Sequence, residues 1–263
     1  FIIFIYVSYD VQIRSFIYQE KWDSGTYLNV HASDDPYSDN ANRIDLVPGL
    51  EAYAESNGYN FAWSTMGLKY VVPDFEHPYG TNIGHVFRES ILVWGITPNF
   101  FDVAIPGFLQ ISDKDESSPY SILEQLYTPI GSGSAILGSL YKKDLGLSKL
   151  DSQFLLEVPK SNSELFQTES IQKGTSYHRL KPCAFLNGAP YFVFSQFPTI
   201  PNQDILVSLP TFLRLTEGYY NTTSEIPLGV FFIKLPDDIS DKDLDTVKDD
   251  LENIIKYSDY SIS

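Results

Sequence analysis

Short apolar runs alternate with polar segments along this chain, and the first of them follow the order strand, helix, strand. Residues 26–32 (TYLNVHA) and 61–72 (FAWSTMGLKYVV) are rich in β-branched and aromatic residues, which predicts two strands. Between them, Pro48 suits the first turn of a helix and Asn57-Gly58 suits its end. The apolar face of this helix is predicted at Leu50, Tyr53 and Ala54. The N-terminal part of the chain therefore predicts a βαβ unit.

The C-terminal part of the chain shows a strand followed by a helix. Residues 228–235 (LGVFFIKL) are an apolar run of strand length between two prolines. Ser240 and Asp243 fit a capping box at the start of the helix that follows. Its apolar face is predicted at Leu244, Val247, Leu251 and Ile254, and its solvated face at Asp245, Asp249 and Asp250. The acidic run is thus typical of a helix surface rather than of a binding site.

The long middle of the chain has a different pattern. Glycine and proline divide it into short runs that predict strands at 86–94, 134–137, 153–158, 178–185, 191–197 and 205–209. Brief helices are predicted at 122–126, 140–145 and 211–215. Units with strands and a helix at both ends, separated by this middle, predict one split α+β subdomain interrupted by a β-rich insertion.

The charge of the chain excludes one large class of partners. The chain has 18 lysines and arginines against 34 aspartates and glutamates, which gives a net charge of −16. Nucleic-acid binding depends on clustered cations that neutralise phosphates, so we expect no nucleic-acid partner. An anionic lipid surface is disfavoured because it carries the same sign of charge. A hydrophobic fraction of 43% in 263 residues predicts a folded chain with a sizeable core.

Residues with catalytic or metal-binding chemistry are scattered along the sequence. Zinc-site spacing is not found among His31, His77, His85, His178 and the single cysteine, Cys183. Cys183 lies in an apolar run, which predicts a buried and unreactive thiol. The glycine-serine stretch at 131–134 lacks the ending of a phosphate-binding loop and is typical of a turn. These patterns therefore indicate no metal site, no reactive cysteine and no phosphate-binding loop, whereas a pair of catalytic carboxylates among the 34 acidic residues stays open.

Two local patterns bear on whether the chain is secreted or attached to a membrane. Asn221 begins an Asn-Thr-Thr acceptor sequence for N-glycosylation, which would apply in a eukaryotic secretory route. Residues 1–7 (FIIFIYV) are apolar but too few to cross a bilayer, which needs about 20 residues. They fit either the outer end of a transmembrane helix or a buried strand, and both alternatives stay open on this pattern.

Residues 92–103 (LVWGITPNFFDV) resemble a signature of one family, the extracytoplasmic (MacB-like periplasmic core) domains of FtsX-like ABC transporter permeases. In that signature a strand ends in a turn of the form Gly, aliphatic, Thr or Ser, Pro, polar, aromatic, Phe. The matching residues are Gly95, Thr97, Pro98, Phe100 and Phe101. We expect Gly95 to permit the strand to break, Thr97-Pro98 to start a turn, and the two phenylalanines to fill the core.

Further blocks resemble the same family in the same order. Residues 134–147 are similar to its strand that leads into a helix ending in Leu-Gly, and residues 205–215 to its strand that runs into Leu-Pro and a short helix. The resemblance implies a ferredoxin-like "porter" subdomain and a β-rich "sabre" subdomain. The implied boundaries are 1–21 for a membrane-proximal segment and stalk helix, 22–75 plus 206–263 for the porter, and 76–205 for the sabre.

The resemblance also implies a function. In this family one transmembrane helix precedes the domain and another follows it, and a cytoplasmic ABC ATPase subunit or domain moves those helices. The domain would lie on the extracytoplasmic side of the plasma membrane. It would pass the movement as a rigid-body change to an extracellular partner or substrate, without binding ATP. The resemblance thus implies no catalytic residue, no metal, no cofactor and no enzymatic activity in this domain. An isolated domain of this kind is expected to be a monomer.

Two other interpretations stay open on the sequence alone. A secreted or surface module would bind sugar or peptide through exposed aromatics such as Trp22, Trp63 or Trp94. A hydrolase would use two of the 34 acidic residues in a deep pocket. Exposure of the indole rings distinguishes the first interpretation, and a pocket with paired carboxylates distinguishes the second.

Overall fold

A computed structural model describes the parts of the chain on which the fold rests. These are residues 28–32, 46–65, 67–73, 88–103, 110–111, 119–128, 133–139, 153–158, 176–189, 192, 204–216, 228–236, 238–256 and 260–262. Several predictions made above fall outside them, namely those for residues 1–22, the 140–145 helix, most of the 191–197 strand, His77, His85 and Asn221. Within the described ranges the longest helix has 15 residues, and no helix there is long and apolar enough to cross a bilayer.

Six elements from both ends of the chain build one four-stranded sheet with two helices. In chain order they are β1 (Leu28–Ala32), α1 (Val47–Ser56), β2 (Asn60–Thr65), β10 (Leu228–Lys234), α5 (Asp241–Ile255) and β11 (Tyr260–Ile262). The strand order is β11-β1-β10-β2, and every neighbouring pair is antiparallel. This is the ferredoxin-like arrangement of two βαβ units. The predicted α+β class with a split βαβ subdomain is confirmed, and we call this sheet the porter sheet.

Local sequence signals mark both ends of α1 and the start of α5. Pro48 stands in the first turn of α1, and Gly58 adopts the left-handed conformation after the helix, with φ of 70°. The Ser240 Oγ accepts a hydrogen bond from the Asp243 N–H at 3.2 Å and donates one to the Asp243 carboxylate at 2.7 Å. Both helices pack on one face of the porter sheet, and their shared core includes Leu28, Val30, Leu50, Trp63, Phe231, Ile233, Val247 and Leu251.

The middle of the chain forms a ring of six strands. Their bounds are β3 (Leu68–Pro73), β4 (Arg88–Ile96), β6 (Ser134–Gly138), β7 (Phe154–Val158), β8 (Ser176–Gly188) and β9 (Asp204–Ser208). The order around the ring is β4-β3-β7-β8-β6-β9 and back to β4. The remaining elements of the described insertion are β5 (Gln110–Ile111), which pairs with β8, and the helices α2 (Phe100–Val103), α3 (Pro119–Tyr127) and α4 (Leu209–Leu215). The predicted β-rich insertion is confirmed.

Side chains of the ring strands alternate between two cores. In β9, Ile205 and Val207 belong to one hydrophobic cluster and Leu206 to another. Phe212 and Leu215 of α4 pack into the same cluster as Ile205 and Val207. Because both faces of such a strand are buried, its sequence is a continuous apolar run rather than an alternating one.

The single strand predicted for residues 61–72 is wrong, because the chain forms two strands there. β2 ends at Thr65 and pairs with β10, whereas β3 begins at Leu68 and pairs with β4. Gly67 lies between them against an indole ring, and a Cβ on Gly67 would come within 2.5 Å of the Trp94 ring. Gly67 is thus the point where one apolar run passes from the porter sheet to the ring.

The two ends of the porter sheet carry different connections. The chain enters β1 at Leu28, and β11 runs antiparallel to β1 toward that same end, with Val30 opposite Ile262. The insertion is joined to the other end of the sheet, where Leu228 lies opposite Thr65. The chain therefore enters and leaves the porter sheet at one pole, and the ring is attached at the opposite pole.

The predicted boundaries at 75/76 and 205/206 stay a prediction. Strand pairing associates β3 with β4 and β7, and β9 with β4 and β6, so both strands are part of the ring. Strand pairing groups β3 and β9 with the ring, whereas the boundaries implied by the resemblance place β3 in the porter and pass through β9.

Candidate functional site: the seam between sheet and ring

The residues of the signature lie where the ring meets the porter sheet. β4 pairs with β3 and β9 inside the ring, and its last residue also reaches β2, with Ile96 opposite Ser64. β2 is the edge strand of the porter sheet. We call the contact between β2 and residues 95–99 the seam.

Threonine hydroxyls take part in the hydrogen bonds of the seam. The Gly95 N–H donates to Thr65 Oγ1 at 2.8 Å, and the Trp63 N–H donates to Thr97 Oγ1 at 3.2 Å. The Thr97 N–H donates in return to the Trp63 carbonyl at 3.1 Å. Thr65 and Thr97 therefore supply acceptors at positions where a β ladder would use backbone carbonyls.

A β-turn continues the seam beyond β4. The Phe100 N–H donates to the Thr97 carbonyl at 3.2 Å, with Pro98 in the second position, as the sequence predicts. The turn brings the Asn99 side-chain amide to the Phe61 carbonyl, at 2.7 Å. The bonded pairs step by two residues along both strands, as in a ladder. A side chain takes part in three of these four bonds, which flank the ladder pair of Ser64 with Ile96.

Gly95 lies inside β4, and the strand break expected there is wrong. β4 continues through Gly95 to Ile96. A Cβ on Gly95 would come within 2.9 Å of the Phe212 Cβ and 3.1 Å of the Thr65 Cγ2. The lack of a side chain therefore allows α4 and β2 to approach β4 at the same point.

Phe100 and Phe101 join the porter sheet to the insertion. Both are buried, with 1% and 4% of their surface exposed. The Phe100 ring centroid lies 5.1 Å from that of Phe232 in β10, 5.5 Å from that of Phe192 in the insertion, and 5.9 Å from that of Phe101. These separations are typical of favourable tilted and edge-on aromatic pairs. One hydrophobic cluster thus contains residues of both parts of the protein.

Tyr127 connects three elements at the end of β4. Its hydroxyl donates to the Ile96 carbonyl and accepts a hydrogen bond from the Leu209 N–H, at 3.3 Å from the Leu209 nitrogen. Burial raises the pKa of Tyr127 to about 12, and the bond from Leu209 opposes the rise. The phenol is therefore neutral, and able to donate, at physiological pH. It lines a cleft of about 160 Å³ together with Leu126, Thr128, Ser208, Pro210, Thr211 and Arg214.

The cysteine and the described histidines do not form a metal or nucleophile site. Cys183 is buried as predicted, and its thiol donates to the Ala135 carbonyl at 3.4 Å. Burial raises the pKa of Cys183 to about 12, so the thiolate is scarce at neutral pH. The His31 Nδ1 lies 2.8 Å from the Asn29 Oδ1, and burial lowers the pKa of His31. In the described ranges no three His, Cys, Asp or Glu side chains are grouped to hold a metal.

The two described tryptophans make contacts inside the fold. Trp63 is 5% exposed, and its Nε1–H donates to Glu51 in α1 at 3.0 Å. Trp94 is half-buried, and its Nε1–H donates to Asp204 in β9 at 2.8 Å. Trp22 lies outside the described residues. Neither of the two described indole rings is therefore exposed in the way that a ligand-binding surface would require.

Two solved extracytoplasmic regions are similar to this chain. The periplasmic region of MacB from Actinobacillus actinomycetemcomitans matches it with a TM-score of 0.47 and 11% sequence identity, covering 93% of this chain and 90% of that one. The extracellular domain of the noncanonic ABC-type transporter YknZ from Gram-positive bacteria matches with a TM-score of 0.39 and 10% identity, covering 90% of this chain and 98% of that one. No protein-family model and no curated protein matches the sequence.

Sequence patterns give no signal for two residues in or beside the seam, Thr65 and Tyr127. The partners of Tyr127 lie 31 and 82 positions away along the chain. Thr65 stands in an apolar run, where a threonine is expected for its preference for strands alone. Their roles follow from the pairing of distant strands and helices.

Proposed function

We propose that this chain is the extracytoplasmic domain of an FtsX-like ABC permease, which passes ATP-driven movement of membrane helices to a partner or substrate outside. The arrangement of connections on the porter sheet carries the proposal. The chain enters β1 and leaves β11 at one pole, with Val30 opposite Ile262. The ring is attached at the opposite pole, where Leu228 lies opposite Thr65.

This arrangement suits the transmission of movement between two poles. Neighbouring strands lie about 4.8 Å apart, so segments flanking the domain leave it side by side and can run into a membrane together. A displacement of those segments acts on β1 and β11 and crosses to β10 and β2 through ladder hydrogen bonds. It reaches the ring at the seam, because protein interiors are nearly incompressible and transmit strain.

The packing of β10 supports a direct coupling of the insertion to the porter helices α1 and α5. Phe231 and Ile233 pack against the core under α1 and α5, whereas Val230 and Phe232 belong to the cluster that contains Phe100. Only the porter sheet, here β10, therefore separates α1 and α5 from the cluster of the insertion, so a shift of these helices acts on that cluster directly.

Under this proposal the chain works without catalysis or a cofactor. Gly95 and Thr97 of the seam, together with Phe100 beside it, hold the joint between the two parts. The membrane is reached through flanking helices, and a cytoplasmic ABC ATPase supplies the energy. The isolated domain is a monomer, since its proposed assembly depends on contacts in the membrane.

The gene on both sides of this chain provides the first test. We expect a hydrophobic span of about 20 residues that includes residues 1–7, another that starts soon after residue 263, and further spans beyond. A secretion signal without any spans would contradict the proposal.

Labelling of the full-length protein in intact cells tests its location. Asp245 is exposed on α5, so an Asp245→Cys variant is expected to react with a membrane-impermeant maleimide. The parent protein is the matched control, because its Cys183 is buried and any cysteine elsewhere in the full-length protein is present in both proteins. Labelling of the variant only after cell permeabilisation would place this domain on the wrong side of the membrane.

A further inference from the structure

Two buried side-chain oxygens beside the seam have no hydrogen-bond partner. They are the Ser64 Oγ in β2 and the Asp102 Oδ1 in α2, and no other such atom occurs in the stretches that the structure describes. Ser64 is fully buried and lies opposite Ile96, and Asp102 directly follows the signature residue Phe101. One oxygen lies on the porter side of the seam and the other on the insertion side. Burying a polar atom without a partner raises the free energy of the conformation that contains it.

The seam is also bonded differently from the other contacts of β4. β4 pairs with β3 along the whole of Leu68–Pro73 and with β9 along Asp204–Ser208, but with β2 only at Ile96. The bonds on either side of that pair include two to the hydroxyl groups of Thr65 and Thr97, beside the backbone bond from Thr97 to Trp63. A side-chain hydroxyl can exchange partners by rotation about χ1, whereas a ladder bond cannot change without movement of the backbone.

We infer that the seam is a joint with two states, of which the described arrangement is the closed one. In the open state the bonds joining Trp63 to Thr97 and Gly95 to Thr65 separate, and the Ser64 and Asp102 oxygens become hydrated. The aromatic cluster around Phe100 keeps the two parts together while the polar seam opens. The ring then turns relative to the porter sheet without unfolding either part. This inference concerns the chain itself and holds whether or not the chain belongs to a permease.

Amide hydrogen exchange of the 263-residue chain tests the joint. The amides of Gly95, Trp63 and Thr97 are expected to exchange at least about 100-fold faster than those of Phe231 and Phe232 in β10. Their exchange is also expected to be insensitive to low urea, because a local opening exposes little surface. Seam amides that share the rates and the urea dependence of Phe231 and Phe232 would show that the seam opens only in global unfolding, which overturns the inference.

Two variants that shift the closed–open equilibrium in opposite directions distinguish a two-state joint from a contact that only stabilises the fold. Ser64→Ala removes an unpartnered hydroxyl and is expected to slow seam exchange about tenfold, with β10 unchanged. Asn99→Ala removes the bond to the Phe61 carbonyl and is expected to speed seam exchange about tenfold. Ser56→Ala is the matched control, since that exposed serine lies on α1, and it should leave seam exchange unchanged.

Two results with these variants would overturn the inference. Faster seam exchange in Ser64→Ala would mean that the hydroxyl supports the closed state. A change of equal size in seam and β10 exchange would mean that the substitution acts on global stability alone.

Discussion

Trp63 and Thr97 are joined by a reciprocal pair of hydrogen bonds across the seam. The Trp63 N–H donates to the Thr97 hydroxyl at 3.2 Å, and the Thr97 N–H donates to the Trp63 carbonyl at 3.1 Å. The hydroxyl replaces a ladder carbonyl at the residue where the chain turns away through Pro98. The exposed donors of an edge strand are a liability in a sheet, and this exchange satisfies one of them on β2.

A Thr97→Val substitution tests the value of that hydroxyl. It removes the acceptor and nearly preserves the shape of the side chain, so the Trp63 N–H becomes a buried donor without a partner. The free energy of unfolding is expected to fall by about 1–3 kcal/mol in urea titrations followed by circular dichroism. Thr97→Ser keeps the hydroxyl, so its free energy of unfolding should fall by less than that of Thr97→Val. An equal loss in both variants would assign the effect to the methyl group instead.

Gly95→Ala tests the close approach of α4 and β2 to β4. The new methyl group would meet the Phe212 Cβ at 2.9 Å and the Thr65 Cγ2 at 3.1 Å. Overpacking of this kind is expected to cost about 1–3 kcal/mol of stability. Gly49→Ala in α1 is the control, because the atom nearest to its new methyl group, Ile254 Cγ2, is 3.7 Å away, and helix propensity favours alanine by about 0.5–1 kcal/mol. Thermal unfolding should therefore move in opposite directions for the two variants, and a parallel shift would contradict the packing described here.

A Tyr127→Phe substitution tests the connection between β4, α3 and α4. The Ile96 carbonyl and the Leu209 N–H both lose their partner, so the free energy of unfolding is expected to fall by about 1–3 kcal/mol. Denaturant titration at neutral pH measures this loss. A change within the error of the titration would mean that water replaces the phenol at no cost.

The same phenol predicts an alkaline dependence of stability. Its folded-state pKa of about 12 lies above the ordinary value of 10.0, so its contribution is complete below about pH 10 and is lost as the pH rises toward 12. Between about pH 9 and about pH 11 the parent protein should therefore lose more stability than Tyr127→Phe. Tyr53, whose pKa is also raised to about 12, is present in both proteins and cancels in the comparison. Equal losses would show that Tyr127 titrates like an exposed tyrosine.

Cys183 predicts a slow reaction with thiol reagents. Its thiol is buried and its pKa is raised to about 12, so at about pH 8 little thiolate is present and the reagent has no access. We expect modification by a maleimide to be at least about 100-fold slower than for free cysteine, and rapid in denaturing urea. Fast labelling of the folded protein would place the thiol at the surface.

Helix ends and fold class could be predicted because their signals are local. Ser240 and Asp243 lie three residues apart, and the hydrogen bond between them forms as soon as the helix does. Asn57-Gly58 ends α1 for the same reason, since Gly58 adopts positive φ without steric cost. Apolar runs at both ends of the chain and a β-rich middle were sufficient to predict a split α+β subdomain with an insertion.

Only the tertiary structure decided how those elements join. Residues 61–72 have a uniform strand pattern, yet they form two strands with different partners, and the Trp94 ring fills the space beside Gly67 between them. Gly95 was expected to break a strand from its conformational freedom, but its role is to admit Phe212 from a helix more than 100 residues away. The sequence by itself therefore determined the elements, since propensity and capping act over a few neighbouring residues. The closed ring, the seam and the contacts of Tyr127 depended on which distant surfaces meet, and only packing in three dimensions selects those.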